Sequence, residues 1–124
     1  MKIEVPIGEV FDKLSILLIK LIKIQDTTKI QFVKTEFTEI INNNDFKECK
    51  GIDRVIELID VNSQLWNVED NIRIKESKKE FDEDFIKLAR KVYVLNDKRF
   101  EIKKEINILN NSKLNEVKSY QKYN

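Results

Sequence analysis

The chain has 124 residues, of which 36% are charged and 41% hydrophobic, with two glycines and one proline. That length suits one domain, and that balance suits long surface helices better than a sheet protein with many tight turns. Twenty-three basic and 22 acidic side chains leave a formal charge of +1, so no overall field gathers nucleic acid or anionic lipid. Histidine is absent, which removes His-containing triads, most zinc sites and the carboxylate-histidine pattern of di-iron bundles.

Residues 1–7 alternate polar and apolar and read as an extended arm, before Pro6 and Gly8 open a first helix. From Glu9 onward, Val10, Leu14, Leu17, Leu21 and Ile24 recur at helical spacing, widened by Phe11, Leu18 and Ile22. A helix apolar on so much of its circumference belongs at a bundle's centre or against another subunit, so a homodimer is expected. Lys20 and Lys23 interrupt it and it falls short of a bilayer span; with Glu4, Glu9 and Asp12 spoiling a secretory signal, the expected location is the cytoplasm, with no membrane partner.

Asp26 offers an N-cap for a second helix over about residues 29–42, with a seam of Ile30, Val33, Phe37 and Ile40. Asparagines 42–44 stop it. Phe46 and Cys49 are expected to fold back over the bundle end, and Asp53, after Gly51, to cap a third helix running to about Ser77. Along that third helix Leu58, Val61, Leu65, Val68 and Ile72 form an apolar seam, beside which run Asn62, Trp66, Glu69, Arg73 and Glu76. The fourth helix, from Asp82 to about Asn110, keeps heptad spacing through Phe85, Leu88, Val92, Leu95, Arg99, Ile102, Ile106 and Leu109. The short connection at residues 78–81 implies an antiparallel hairpin whose paired residue numbers total about 160. Residues 112–124 form a tail, in which Leu114, Val117 and Tyr120 suggest a short docked turn before the end frays. The expected architecture is an all-α, four-helix antiparallel bundle of one domain, residues 1–124, with a long C-terminal helical hairpin.

Arg99 is the anomaly, because a buried charge without a partner is costly. The hairpin register offers Asp60 or Asn62, and the first helix offers Glu9 or Asp12. The ladder Glu69, Asp70, Arg73, Glu76 has the spacing of ordinary stabilising ion pairs on an exposed helix. A functional reading gathers Glu9, Asp12, Asn62, Trp66, Glu69, Asp70, Arg73, Glu76, Arg90, Asn96, Asp97 and Arg99 into a binding site, with acids able to hold Mg²⁺ and arginines able to grip phosphate. The Glu9 and Asp12 pair with Glu69 and Asp70 resembles in part the acidic helices of all-α nucleotide pyrophosphohydrolases. The chorismate mutases' N-terminal arginine has no counterpart here.

The stretches PIGEVFDKLSILLIK, LWNVEDNIRIKE, DEDFIKLARKVYVLNDKRFEIKKEIN and VKSYQKY together resemble a bacterial and phage family of short helical proteins, described as a domain of unknown function. That resemblance places Glu9, Asp12, Lys13, Trp66, Glu69, Asp70, Arg73, Asn96, Asp97, Arg99 and Asn107 at motif positions, and associates the family with surface-polysaccharide and glycosyltransferase gene neighbourhoods. With no nucleophile-and-base pair, phosphate loop or metal-ligand cluster, the reading is a non-enzymatic helical interaction or accessory protein without a cofactor. The alternative is Mg-dependent binding or hydrolysis of a nucleotide or sugar phosphate. Single-strand nucleic-acid binding through Trp66, Tyr93 and the lysines ranks third.

Overall fold

The computed structural model describes all of residues 1–124, and its regular structure is all helical, without strands. Five helices follow in order: α1 (Ile7–Lys23), α2 (Thr27–Ile41), α3 (Asn44–Lys47), α4 (Arg54–Ser77) and α5 (Glu83–Leu109). None is long and apolar enough to cross a membrane.

The centre is made by three helices. α1 packs against α4 and α5, while α2 packs on α1 and its backbone stays away from the hairpin. Sequence periodicity explains this. α1 buries residues on several sides, including Phe11, Leu14, Leu17 and Ile19, whereas α2 buries only Val33 and leaves Phe32 exposed. α3 is a single turn, started by Asn43 accepting from the Phe46 amide at 3.0 Å. It brings Phe46 edge-on to Phe11, ring centres 5.6 Å apart, and Phe46 and Cys49 close the end of the core as expected.

Two apolar clusters lie along the hairpin. Phe11, Leu14, Val55, Leu58 and Ile106 form the first; Val61, Leu65, Val68 and Leu95 form the second, with Leu88, Val92 and Ile102 against it. Both contain the cross-hairpin pairs that the antiparallel register requires.

Several helix termini follow local chemistry. Asp26 and Asp82 accept from the amides of Lys29 and Phe85, each at 2.9 Å. Asp53, expected to cap α4, makes no capping bond. Its backbone is already helical, and α4 begins instead with three-residue bonds such as Arg54 N–H to the Gly51 carbonyl at 2.9 Å. Both hairpin helices end in the six-to-one and five-to-two bonds of a left-handed cap. Lys79 (φ 55°) closes α4 through Glu80 N–H to Lys75 O, and Asn111 (φ 51°) closes α5 through Ser112 N–H to Asn107 O.

The docked turn expected at Leu114, Val117 and Tyr120 does not form. The tail has no regular structure, and Val117 and Tyr120 stand in solvent while Glu116, Lys118 and Tyr123 make its contacts. Three apolar residues on one short face do not outweigh the ordering of a terminal segment, which is anchored more strongly by charge.

Candidate functional site

α1 starts without a side-chain cap of its own, because Pro6 has none to offer. Its first amides are satisfied from the far end of the chain. The Gly8 N–H donates to Asn107 Oδ1 at 2.6 Å and the Ile7 N–H to Ser112 Oγ at 3.1 Å. Such docking requires α1 and α5 to touch backbone to backbone. A Cβ at Gly8 would lie 2.4 Å from the Lys103 carbonyl oxygen, so glycine is demanded by close approach.

One turn further, α1 delivers Asp12, only 1% exposed, into the seam between α4 and α5. Its Oδ1 accepts from Arg99 Nε at 2.8 Å and from Asn62 Nδ2 at 2.9 Å, and its Oδ2 from Arg99 Nη2 at 2.5 Å. This is the bidentate fork of an arginine on a carboxylate, with an amide completing it. Asn62 also donates to Ser15 Oγ at 2.8 Å, and that hydroxyl donates to the Asp12 carbonyl at 2.6 Å. Hydrogen bonding to Asp12 holds the Arg99 guanidinium above its ordinary value. Asp12 is the partner that Arg99 needs; Asp60, the other acid near the register, is exposed.

Beside this pair lies Lys103, its side chain 9% exposed, with Glu9 at 2.8 Å and Glu116 of the tail at 2.6 Å. Burial pulls the Lys103 ammonium down, but the bonds to Glu116 and Glu9 prevail and raise it. Burial likewise pushes Glu116 up, and Lys103 more than compensates, leaving Glu116 below its usual range. Lys118 adds a bridge to Glu116 at 3.6 Å. Three acids thus face three cations, and no buried side-chain polar atom lacks a hydrogen-bond partner.

Of the site residues named from sequence, Glu9, Asp12, Asn62 and Arg99 therefore converge. The others do not join them. Arg73 is 80% exposed and bonds Glu69 at 3.4 Å within the same helix, and Asp70 is exposed. Trp66 is half-buried on α4, and Arg90 is exposed on α5. Asn96 and Asp97 line a separate groove on α5 beneath the tail. No three acidic or cysteine side chains gather at metal-binding distance.

Gly8, Ser15, Lys103 and Glu116 belong to the network and were missed. Three of the four carried a signal: Arg99, Lys103 and Asn107 step by four along α5, and Gly8, Asp12 and Ser15 by four and three along α1, so each helix has a small or polar stripe inside its apolar face. Glu116 had none.

A family model described as a family of unknown function (DUF6165) matches residues 1–123. No curated protein and no solved structure matches the chain.

Proposed function

The chain belongs to this family of unknown function, and from that premise we propose that it is a non-enzymatic helical interaction protein that presents the far end of its hairpin to a protein partner. One observation carries the reading: residues 69–94 contain no buried side chain. Over this stretch the two hairpin helices and their connection have every side chain at least partly exposed, and Ile74, Phe81 and Ile86 are each about half exposed. Apolar groups on an otherwise charged stretch are what a docking partner covers. The polar cluster at the bundle centre, meanwhile, is neutralised and hydrogen-bonded within itself, which favours a role in joining three helices over one in gripping a charged ligand.

The alternative, a Mg-dependent nucleotide or sugar-phosphate site, draws on Glu69, Asp70, Arg73, Asp97 and Arg99; it is less favoured because Arg73 pairs with Glu69 of its own helix and Arg99 is engaged by Asp12. A surface-polysaccharide pathway is suggested by the family resemblance alone. The homodimer expected from the apolar character of α1 remains part of the proposal, with Ile22, 81% exposed, as a residue a second copy covers.

The test combines two measurements. Ile74→Glu and Ile86→Glu in the full chain abolish co-purification of a defined partner from the source cells while leaving the far-UV circular dichroism melt unchanged. Purified protein with Mg²⁺ releases no phosphate from nucleoside triphosphates or sugar nucleotides; turnover abolished by Glu69→Gln would overturn the reading.

A further inference from the structure

On one side of the hairpin's far end, α4 and α5 enclose a cleft of about 450 Å³. α4 and its C-cap contribute Ile74, Lys75 and Lys78, and α5 contributes Lys87, Leu88 and Lys91. Each set steps by one and three, the spacing of a single helix face, and the antiparallel register sets Ile74 opposite Leu88 with lysines to either side. Asn71, which opens the α4 side of the cleft, follows Asn62 by about two and a half turns, so this face of α4 points away from the one that meets Asp12. The cleft is therefore not the groove that α1 fills.

Four lysines line this small cleft in a chain whose formal charge is only +1. Lys75 is satisfied by Glu80 at 3.3 Å and Asp82 at 2.8 Å. Lys78, Lys87 and Lys91 stand exposed and join no ion pair, with Asp84 the one acid of the lining left to face them. Lys87 and Lys91 are four positions apart on one helix, where like charges repel. Other cations of the hairpin are interleaved with acids, as Lys79 is with Glu76 and Arg73 with Glu69; these three are gathered without them. Between the lysines, Ile74, 51% exposed, and half-buried Leu88 leave an apolar floor.

We propose that this cleft takes an acidic, amphipathic helix of the partner protein, laid along the groove between α4 and α5. The inference deepens the interaction-protein reading, on which it rests, by giving the partner's chemistry. Apolar side chains of the docked helix sit on Ile74 and Leu88, and acids flanking its apolar stripe meet Lys78 on one side and Lys87 and Lys91 on the other. The lining of α5 from Asp84 to Lys91 is about 10 Å long at ~1.5 Å per residue, or two turns, so acids four positions apart on the docked helix reach Lys87 and Lys91 together. A phosphate backbone suits the cleft less. Glu80, Asp82, Glu83 and Asp84 stand at its outer end, where a uniformly negative strand would have to continue, whereas a helix can begin there with its positive N-terminus among them.

The probe is a fluorescein-labelled peptide of three Leu-Ala-Ala-Leu-Glu-Ala-Glu repeats with blocked ends, titrated against the full-length protein by anisotropy. It binds saturably, and raising the salt from about 0.05 M to about 0.5 M weakens binding. Lys87→Glu with Lys91→Glu weakens it about tenfold at an unchanged far-UV circular dichroism spectrum, whereas Lys34→Glu, at an exposed position of α2, changes it less than about twofold. The same peptide with Lys in place of Glu reverses the order and binds the charge-reversed chain better than the unaltered one, an exchange that misfolding does not produce. Should the charge-reversed chain lose helicity, Lys87→Gln with Lys91→Gln carries the test with a loss of about threefold. No binding to the unaltered chain, equal binding to every variant, or an equal loss on Lys34→Glu overturns the proposal. An oligothymidylate that binds the unaltered chain and is lost on Lys87→Glu with Lys91→Glu, while the acidic peptide does not bind, assigns the cleft to nucleic acid and overturns it. A concentration-dependent dimer that excludes the peptide assigns the cleft to a second copy, and also overturns it. Ile86 lies outside the cleft lining, so Ile86→Glu leaves peptide binding unchanged. Co-purification lost on Ile86→Glu while the acidic peptide fails to bind keeps the far end of the hairpin as an interface and overturns only its acidic occupant.

Discussion

Replacing Arg99 by Met tests the geometry at its most constrained point. The substitution preserves much of the side-chain length while removing all donors to Asp12, whose carboxylate is 1% exposed and keeps only Asn62 as a hydrogen-bond donor. Breaking a buried pair from one side costs about 3–5 kcal/mol, because the remaining charge is neither hydrated nor compensated. Against a total stability of roughly 5–15 kcal/mol that is a large loss. With a urea dependence of about 1–3 kcal/mol per molar, the midpoint followed by far-UV circular dichroism falls by more than about 1 M.

The decisive comparison is a double-mutant cycle. Asp12→Asn in the unaltered protein is destabilising, since it removes the charge that Arg99 faces. In the Arg99→Met background it is stabilising, because a neutral amide beside Asn62 replaces a stranded charge. The effect of one substitution thus changes sign, a coupling of about 1–3 kcal/mol or more. If Asp12→Asn destabilises equally in both backgrounds, or if Arg99→Met costs less than about 1 kcal/mol, the buried fork does not hold the helices together as argued.

Three further outcomes are expected. Gly8→Ala forces α1 away from the Lys103 carbonyl and lowers stability by about 1–3 kcal/mol, read as a drop in melting temperature; an unchanged melt refutes the close contact. Lys79→Gly relieves a left-handed backbone at the α4 cap and raises stability by about 0.5–1 kcal/mol in urea titration, whereas a loss would mean that Lys79 has another role. The tail contact has a pH window. Glu116 lies below its ordinary 4.5, so its contribution is complete above that value and is lost as pH falls through the lowered one; Lys103 lies above 10.5, so its contribution is complete below that value and is lost as pH rises through the raised one. Ring-current shifts at Tyr93, which the tail's Tyr123 meets edge-on at 4.9 Å, therefore disappear in acid and persist through neutral pH when followed by NMR; a shift that vanishes near neutrality refutes the Glu116 anchor.

Much of the fold was legible because it depends on local rules. Leu58, Val61, Leu65 and Val68 announce a helix seam by spacing alone, and Asp26 and Asp82 announce helix starts by the amides three residues ahead. The hairpin register followed from a short connection, and it correctly brought Asn62 and Arg99 to one place. The candidate site was legible only in part. Arg99 stood out within an apolar heptad, but Asp12, Glu9, Asp60 and Asn62 were equal candidates for its partner, since nothing in the sequence says how deeply α1 inserts. Glu69, Asp70 and Arg73 looked like a site by the same i, i+4 spacing that makes an exposed ion pair.

What the sequence determined by itself is the all-helical class, the approximate helix limits and the long antiparallel hairpin, because periodicity and capping act within a few residues of the chain. Only tertiary structure decided that Asp12 receives Arg99, that Asn107 and Ser112 cap a helix about a hundred residues earlier, and that Glu116 returns to Lys103. Those contacts depend on how closely two backbones approach, and that distance is set by a missing Cβ at Gly8 and by packing among helices that no single stretch of sequence contains.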